Sequence, residues 1–301
     1  MPSVDQIGML LGIMPKVHIE SGEYRRKVLR SVVEALGDEF VDRCKKATMI
    51  LIKPNVIHHE LQLASTHVDA LRGVLDVIRV HTGTPVVIAD AGFHGTAAGF
   101  RHFGYERLPE EYTKVFLKDL NDDAHVDATI PRADGSTMPI RRAKTAYDAD
   151  FTISLTPMKT HGGCVASLAI ENWAHGTWVV PPRIGAHGMV WSRQPWLEEA
   201  HHEVLAHLFK ERPCDVAVID GILAMEGAGP VRGTAVPMNL ALAGFDAVAV
   251  DSVAASLMNL DPHAIPYLEM CVQAGLGVNE MSKIDVPLGL VLEHTRKFIT
   301  A

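Results

Sequence analysis

Five short apolar runs punctuate the chain, at residues 49–52, 85–89, 151–155, 216–219 and 240–243. Each is too short for a buried helix, and all but the third, Phe151-Thr152-Ile153-Ser154-Leu155, are unbroken, which predicts buried strands. Between several of them the period changes. Residues 68–81 place Leu71, Val74, Leu75 and Ile78 on one stripe, and residues 197–210 do the same with Val204, Leu205, Leu208 and Phe209. Alternation of this kind predicts an α/β fold, a mainly parallel sheet with helices on both faces.

The stretch 105–147 is less regular and carries the turn signal Ala133-Asp134-Gly135-Ser136, which predicts a small excursion from the main sheet. A weak internal echo links Ile50-Leu51-Ile52-Lys53-Pro54-Asn55 with Ile153-Ser154-Leu155-Thr156-Pro157. The organisation expected is one α/β domain over 1–301, with possible related βαβ halves at 1–104 and 148–301 around an insertion at 105–147. Residues 173–195 lack a helical period, and long irregular segments in compact domains are usually functional. Trp173, Trp178, Trp191 and Trp196 lie in or beside it, as a lid or a homodimer contact.

Composition narrows the function. With 48% hydrophobic residues among 301, a substantial core is expected. The 36 acidic against 28 basic residues give a net charge of -8, and no long basic run exists, so a nucleic-acid partner is not expected. Cys44, Cys164, Cys214 and Cys271 form no CxxC pair, which excludes a built-in iron-sulfur cluster or zinc knuckle. No apolar run approaches about 18 residues and no basic leader is visible, which predicts a cytoplasmic protein with reduced thiols and no membrane segment.

Candidate chemistry gathers around Pro157-Met158-Lys159-Thr160-His161-Gly162-Gly163-Cys164 and the following Glu171-Asn172-Trp173-Ala174-His175-Gly176. If the strand ends near Leu155, Lys159, His161 and Asn172 emerge at its carboxyl end, where α/β sheets bind ligands. Lys53 and Asn55 end an earlier strand, and Ser65 or Thr66 would cap the next helix, whose N-terminus favours an anion. Asp90 and Asp220 each follow an apolar run, as ligand-orienting or capping carboxylates.

The glycines of Gly227-Ala228-Gly229-Pro230-Val231-Arg232-Gly233 depart from a dinucleotide loop, because Pro230 removes an N–H and no helix follows. NAD or flavin is therefore unlikely, and the segment reads as a rigid loop presenting Glu226. His202-Glu203 with His207 fails as a zinc helix, since Ala206 stands where the second histidine belongs, and His201 falls on the apolar stripe. His161 and His187, with Glu226 or Asp220, would suit a divalent metal. Cys164 reads as a small loop residue rather than a nucleophile.

Taken in order, Ile52-Lys53-Pro54-Asn55, Ser65-Thr66, Lys159-Thr160-His161, Asn172 with Gly176, Arg183 with His187, and the run from Met225 to Gly233 resemble the DUF362 family, named for its unknown function. The resemblance continues through Asp246 to Asp251 and Gly275-Leu276-Gly277. It implies an α/β domain. Many such proteins carry ferredoxin-type cysteine clusters, which this chain lacks, and the family pattern usually places Lys where Glu171 stands.

The resulting expectation is a small-molecule enzyme that binds an anionic carboxylate or phosphate metabolite and performs acid/base chemistry, with or without a divalent metal. The catalytic candidates are Lys159, His161 and Glu226. The substrate-binding set is Lys53, Asn55, Ser65, Thr66, Asn172 and Arg183, and the metal set His161, His187, Glu226 and Asp220. The alternative is a non-catalytic metabolite- or metal-binding module or a redox accessory protein.

Overall fold

The computed structural model describes residues 14–92, 95–132, 134–179 and 200–300. The first half runs β1 (His18–Ser21), α1 (Arg25–Glu34), α2 (Gly37–Lys46), β2 (Ile50–Lys53), α3 (Val68–His81), β3 (Val86–Asp90), α4 (Thr96–His102), α5 (Leu108–Glu111), β4 (Val115–Asp119), β5 (His125–Pro131) and β6 (Thr137–Ala143). The second runs α6 (Lys144–Asp148), β7 (Phe151–His161), β8 (Val165–Ser167), α7 (Ala169–Gly176), β9 (Trp178–Val179), α8 (His201–Glu211), β10 (Val216–Ala228), β11 (Arg232–Val236), β12 (Leu240–Gly244), α9 (Ala247–Leu257), α10 (Pro266–Gln273) and α11 (Leu288–His294).

The main sheet has the order β1-β12-β10-β7-β2-β3-β4, with β11 pairing β10 and β8 pairing β7. Strands β10, β7, β2, β3 and β4 are mutually parallel, while β12, β1, β11 and β8 join antiparallel. The central strands are buried on both sides, and in β7 this holds even for the polar Thr152, Ser154 and Thr156. Ile50 and Ile52 pack with Leu29, Phe40, Leu71 and Ile78 from α1 to α3, whereas Leu51 turns to the opposite core of Trp173, Leu205, Val253 and Leu268. The fold is thus a mostly parallel sheet with helices on both faces, as the alternating pattern predicts.

The expected excursion is the β5–β6 hairpin, which pairs with β9 in a separate three-stranded sheet. The same stretch also returns to the main sheet, because β4 pairs with β3 at its edge. Strands β2 and β7 lie side by side with β3 and β10 outside them.

Four sequence expectations are corrected. Strand β7 does not end near Leu155; it continues to His161 and folds back through β8, so Lys159 lies inside a strand. Strand β10 likewise runs through Asp220, with an irregularity before Met225, and the glycine-rich segment expected as a rigid loop is the hairpin into β11, with Glu226 inside β10. The cap of α3 is the His67 side chain, which accepts from the Asp69 N–H at 3.0 Å, not Ser65 or Thr66. Trp173 and Trp178 are buried, which removes them from a lid or a dimer surface; Trp191 and Trp196 lie outside the described residues. Among the described residues no helix is long and apolar enough to cross a membrane.

One remote contact fixes α7. Its preceding residue, Leu168, provides no side-chain cap. Instead the Asp251 carboxylate, on α9, accepts from the N–H groups of Ala169 at 2.8 Å and Ile170 at 3.0 Å. Burial nevertheless pushes this carboxyl up to about 8, with the two N–H donors opposing and Glu171 and Asp246 adding to the rise. Since an unfolded aspartate titrates at about 3.9, the folded protein retains a proton that the unfolded chain has released. This contribution to stability is present below about pH 4 and is lost as the pH rises towards the folded value. Asp251→Asn is expected to flatten the decline in melting temperature between about pH 5 and 8 relative to wild type; superimposable pH profiles would refute the assignment.

Candidate functional site

At the carboxyl ends of β2 and β3 two opposite charges are buried together. Lys53 Nζ lies 2.6 Å from Asp90 Oδ1, with the side chains 1% and 3% exposed. It also donates to Asn172 Oδ1 at 2.7 Å and to the Pro54 carbonyl at 2.9 Å. The other Asp90 oxygen accepts from the Val56 N–H at 2.7 Å. Burial raises the Asp90 carboxyl, and the Lys53 charge opposes that rise.

Asn55 and Asn172 extend this pair into a network. Asn55 Nδ2 donates to Asn172 Oδ1 at 3.2 Å, and Asn172 Nδ2 donates to Ser154 Oγ at 2.9 Å and the Lys53 carbonyl at 3.2 Å. Lys159 Nζ donates to Asn55 Oδ1 at 3.0 Å and to the Ala64 carbonyl at 2.9 Å. Thr66 Oγ1 accepts from the Asn55 N–H and donates to the Leu155 carbonyl, at 2.8 and 2.9 Å; Ser65 Oγ donates to the His58 carbonyl at 3.0 Å. Glycine at 176 is a steric requirement, because a Cβ there would lie 1.9 Å from Lys53 Nζ and 2.7 Å from Asp90 Oδ1.

Lys159 faces a second centre. It is fully buried, and among the described residues its three protons meet two acceptors. Burial lowers it to about 8, with Glu171 opposing and Lys53 reinforcing the shift. Burial alone would raise the Glu171 carboxyl, but His161, Lys159, the Ser167 hydroxyl and His201 together hold it below its ordinary range. Around these charges stand His161, His175 and His201, with ring centroids 5.4 Å apart for His161 and His201 and 5.0 Å for His175 and His201. Burial lowers His161, helped by Lys159 and opposed by Glu171. Cys164, across the Gly162-Gly163 turn, is pushed well up by burial and by Glu171, which keeps it a thiol.

The residues singled out from sequence therefore divide. Lys53, Asn55, Ser65, Thr66, Asn172 and Lys159 lie in or against one polar network, with Lys53 already neutralised by Asp90. His161 sits beside Lys159 in the second centre. Asp220 lies elsewhere, buried against Arg25 Nε at 2.8 Å and accepting from the Ile222 N–H. Glu226 accepts from the Ile299 N–H at 2.9 Å, in the β10–β11 hairpin that pairs with the C-terminal residues. Among the described residues neither carboxylate joins His161 in a metal-capable group; the group that forms is His161, Cys164 and His201. Arg183 and His187 lie outside the described residues.

Sequence reasoning missed Glu171, Cys164 and His201 as site residues. The paired glycines after His161 are a signal for a hairpin that returns Cys164 to it, and Glu171 stands out as a reversed charge. The contribution of His201 has no local signal, because it depends on how α8 docks.

The sequence matches the profile of the domain of unknown function DUF362 over residues 50–256, from the first residue of β2 to the last turn of α9. The chain belongs to the DUF362 family. The matched span contains Lys53, Asp90, Lys159, Glu171 and Asp251, so the two centres lie within what defines this DUF362 protein. It is similar to a thylakoid-associated protein of Synechocystis sp., with 27% identity over 278 residues, 90% of this chain and 80% of that one. Among solved structures it is similar to the lactate racemase apoprotein from Thermoanaerobacterium thermosaccharolyticum, at 15% identity and a TM-score of 0.48. That match covers 85% of this chain, which spans 56% of the racemase chain.

Two expectations follow from the buried pair. Gly176→Ala should separate Lys53 from Asp90 and lower stability by about 3 kcal/mol or more, read from denaturant unfolding; an unchanged midpoint would contradict the close approach. Lys53→Met should lower stability by about 3–5 kcal/mol because Asp90 is left uncompensated, and adding Asp90→Asn should recover much of it. Additive losses in the double variant would show that the two charges do not depend on each other.

Proposed function

We propose that this protein is an enzyme acting on a small anionic metabolite, a carboxylate or a phosphate, by proton transfer at Lys159. The observation that carries the reading is the fully buried Lys159 ammonium, short of one acceptor among the described residues, with the Glu171 carboxylate close enough to bias it. In a low-dielectric setting an anion has strong reason to take that remaining proton as a hydrogen bond. The Glu171 charge keeps the group protonated when no substrate is present, and an incoming anion shares that task. Lysine is suited to this work because burial brings its pKa towards neutral pH, where a general acid or base works best.

His161 is the member of the cluster that reaches partial exposure, and it marks the side from which a small molecule enters. Lys53 contributes differently from the role first expected of it. Its charge is matched by Asp90, so it positions Asn172 and Asn55, and Asn55 in turn holds Lys159. The saturation of this network also favours a second reading, a non-catalytic module that binds such a metabolite without turning it over.

The two are separated by incubating the protein in D2O with a panel of small carboxylates and phosphates and following loss of C–H signals by NMR. The enzyme reading expects exchange in at least one compound and a loss of at least about 100-fold in Lys159→Met, typical for removal of an acid/base group. Melting temperatures raised by panel compounds, with no exchange, would establish the binding module instead. Exchange that survives Lys159→Met would overturn the assignment of the proton-transferring residue.

A further inference from the structure

We infer that His161, Cys164 and His201 form a binding site for one divalent ion of the zinc class. Their ligand atoms all lie within 4.8 Å of one another. A zinc ion held by nitrogen at about 2.0–2.1 Å and sulfur at about 2.3 Å places neighbouring donors roughly 3.5 Å apart. The three side chains therefore need to draw together by about an ångström, a movement within reach of rotations about their own χ angles.

Backbone geometry supports a built site. Gly163 leaves the space between the two imidazoles open, since a Cβ there would lie 2.8 Å from His201 Nδ1 and 3.4 Å from His161 Cε1. Immediately after Cys164, Val165 adopts φ +69°, a left-handed conformation that is unfavourable for a β-branched residue. Such strain persists where the surroundings over-determine it, and here it closes the turn that carries Cys164 back to His161. The turn is held from outside by the Gly162 N–H donating to the Gly229 carbonyl at 3.2 Å.

The donor set selects the ion. One thiolate and two imidazoles favour zinc-class metals over magnesium or calcium, which take oxygen ligands. On binding, the Cys164 S–H bond breaks, its proton leaves to solvent, and the sulfur lone pair goes to the metal. The His161 ring must also surrender the hydrogen bond that its Nδ1 accepts from the Gly163 N–H at 2.9 Å, either by turning or by exchanging tautomers. Three protein ligands leave a fourth position for water or another small ligand. This site stands independently of the proton-transfer proposal, because its evidence is the donor geometry and its test reads metal alone.

The test is titration of the purified, metal-stripped protein with Co2+, followed by absorption and competition with Zn2+. The expected result is about one equivalent of Co2+, tetrahedral d–d bands, a thiolate-to-metal charge-transfer band, and displacement by Zn2+ but not by Mg2+. Cys164→Ala should abolish the charge-transfer band, and His201→Ala should weaken binding at least about 10-fold. His207→Ala, on the partly exposed side of the same helix, should bind as wild type. If His201→Ala does not fold, the smaller Cys164→Ala change decides. No charge-transfer band in wild type, or an unchanged Co2+ spectrum in Cys164→Ala, would overturn the site.

Discussion

A lysine and an aspartate taken together out of water constrain how this fold can close, because each requires the other. Neither Lys53 nor Asp90 is tolerable alone in the interior, because an unmatched buried charge is strongly destabilising. Their pairing at 2.6 Å sets how the ends of β2 and β3 lie against each other. Asn172 must then reach the same ammonium from α7, and Gly176 must close that helix without a side chain. Three elements distant in sequence are thereby registered by one electrostatic requirement, and the apolar packing on either face of the sheet forms around it.

The second centre differs in kind. In the Lys53 network the donors and acceptors are largely matched, which produces rigidity and little reactivity. Lys159 and Glu171 bias each other, the Lys159 ammonium meets two acceptors among the described residues, and three imidazoles and a thiol crowd the same volume. The first network holds Asn55 still, and Asn55 fixes the ammonium of Lys159. Stability and chemistry are thus placed next to each other, with a single carboxamide as the joint between them.

Much of the architecture was legible in the sequence because burial on both faces leaves its mark in four unbroken apolar runs, although residues 151–155 alternate like an amphipathic strand. The stripe of α3 coincided with the helix because one of its faces is buried and the other meets water. The lengths of β7 and β10 were not legible, since both strands continue through polar residues that normally end one, and only pairing with β8 and β11 makes them strands. The polar network could be anticipated as a set, yet not its internal neutralisation, which requires knowing that Asp90 meets Lys53. Asp220 looked equivalent to Asp90 locally, and Glu226 looked presented by a rigid loop; one is matched by Arg25 and the other by the backbone of Ile299. His201 was unreadable because the docking of α8 is a tertiary event.

The Asp251 contact has a consequence for how the protein comes into being. Helix α7 carries Glu171, Asn172 and His175, but its first N–H groups are satisfied by a carboxylate 82 residues further along from Ala169. A chain emerging from the ribosome has made β2, β3, β7 and α7 well before it makes α9. Until then the helix start lacks its acceptor. Both centres are consequently assembled late in synthesis, and a chain interrupted before Asp251 holds nearly every residue of the site without the means to set them in place.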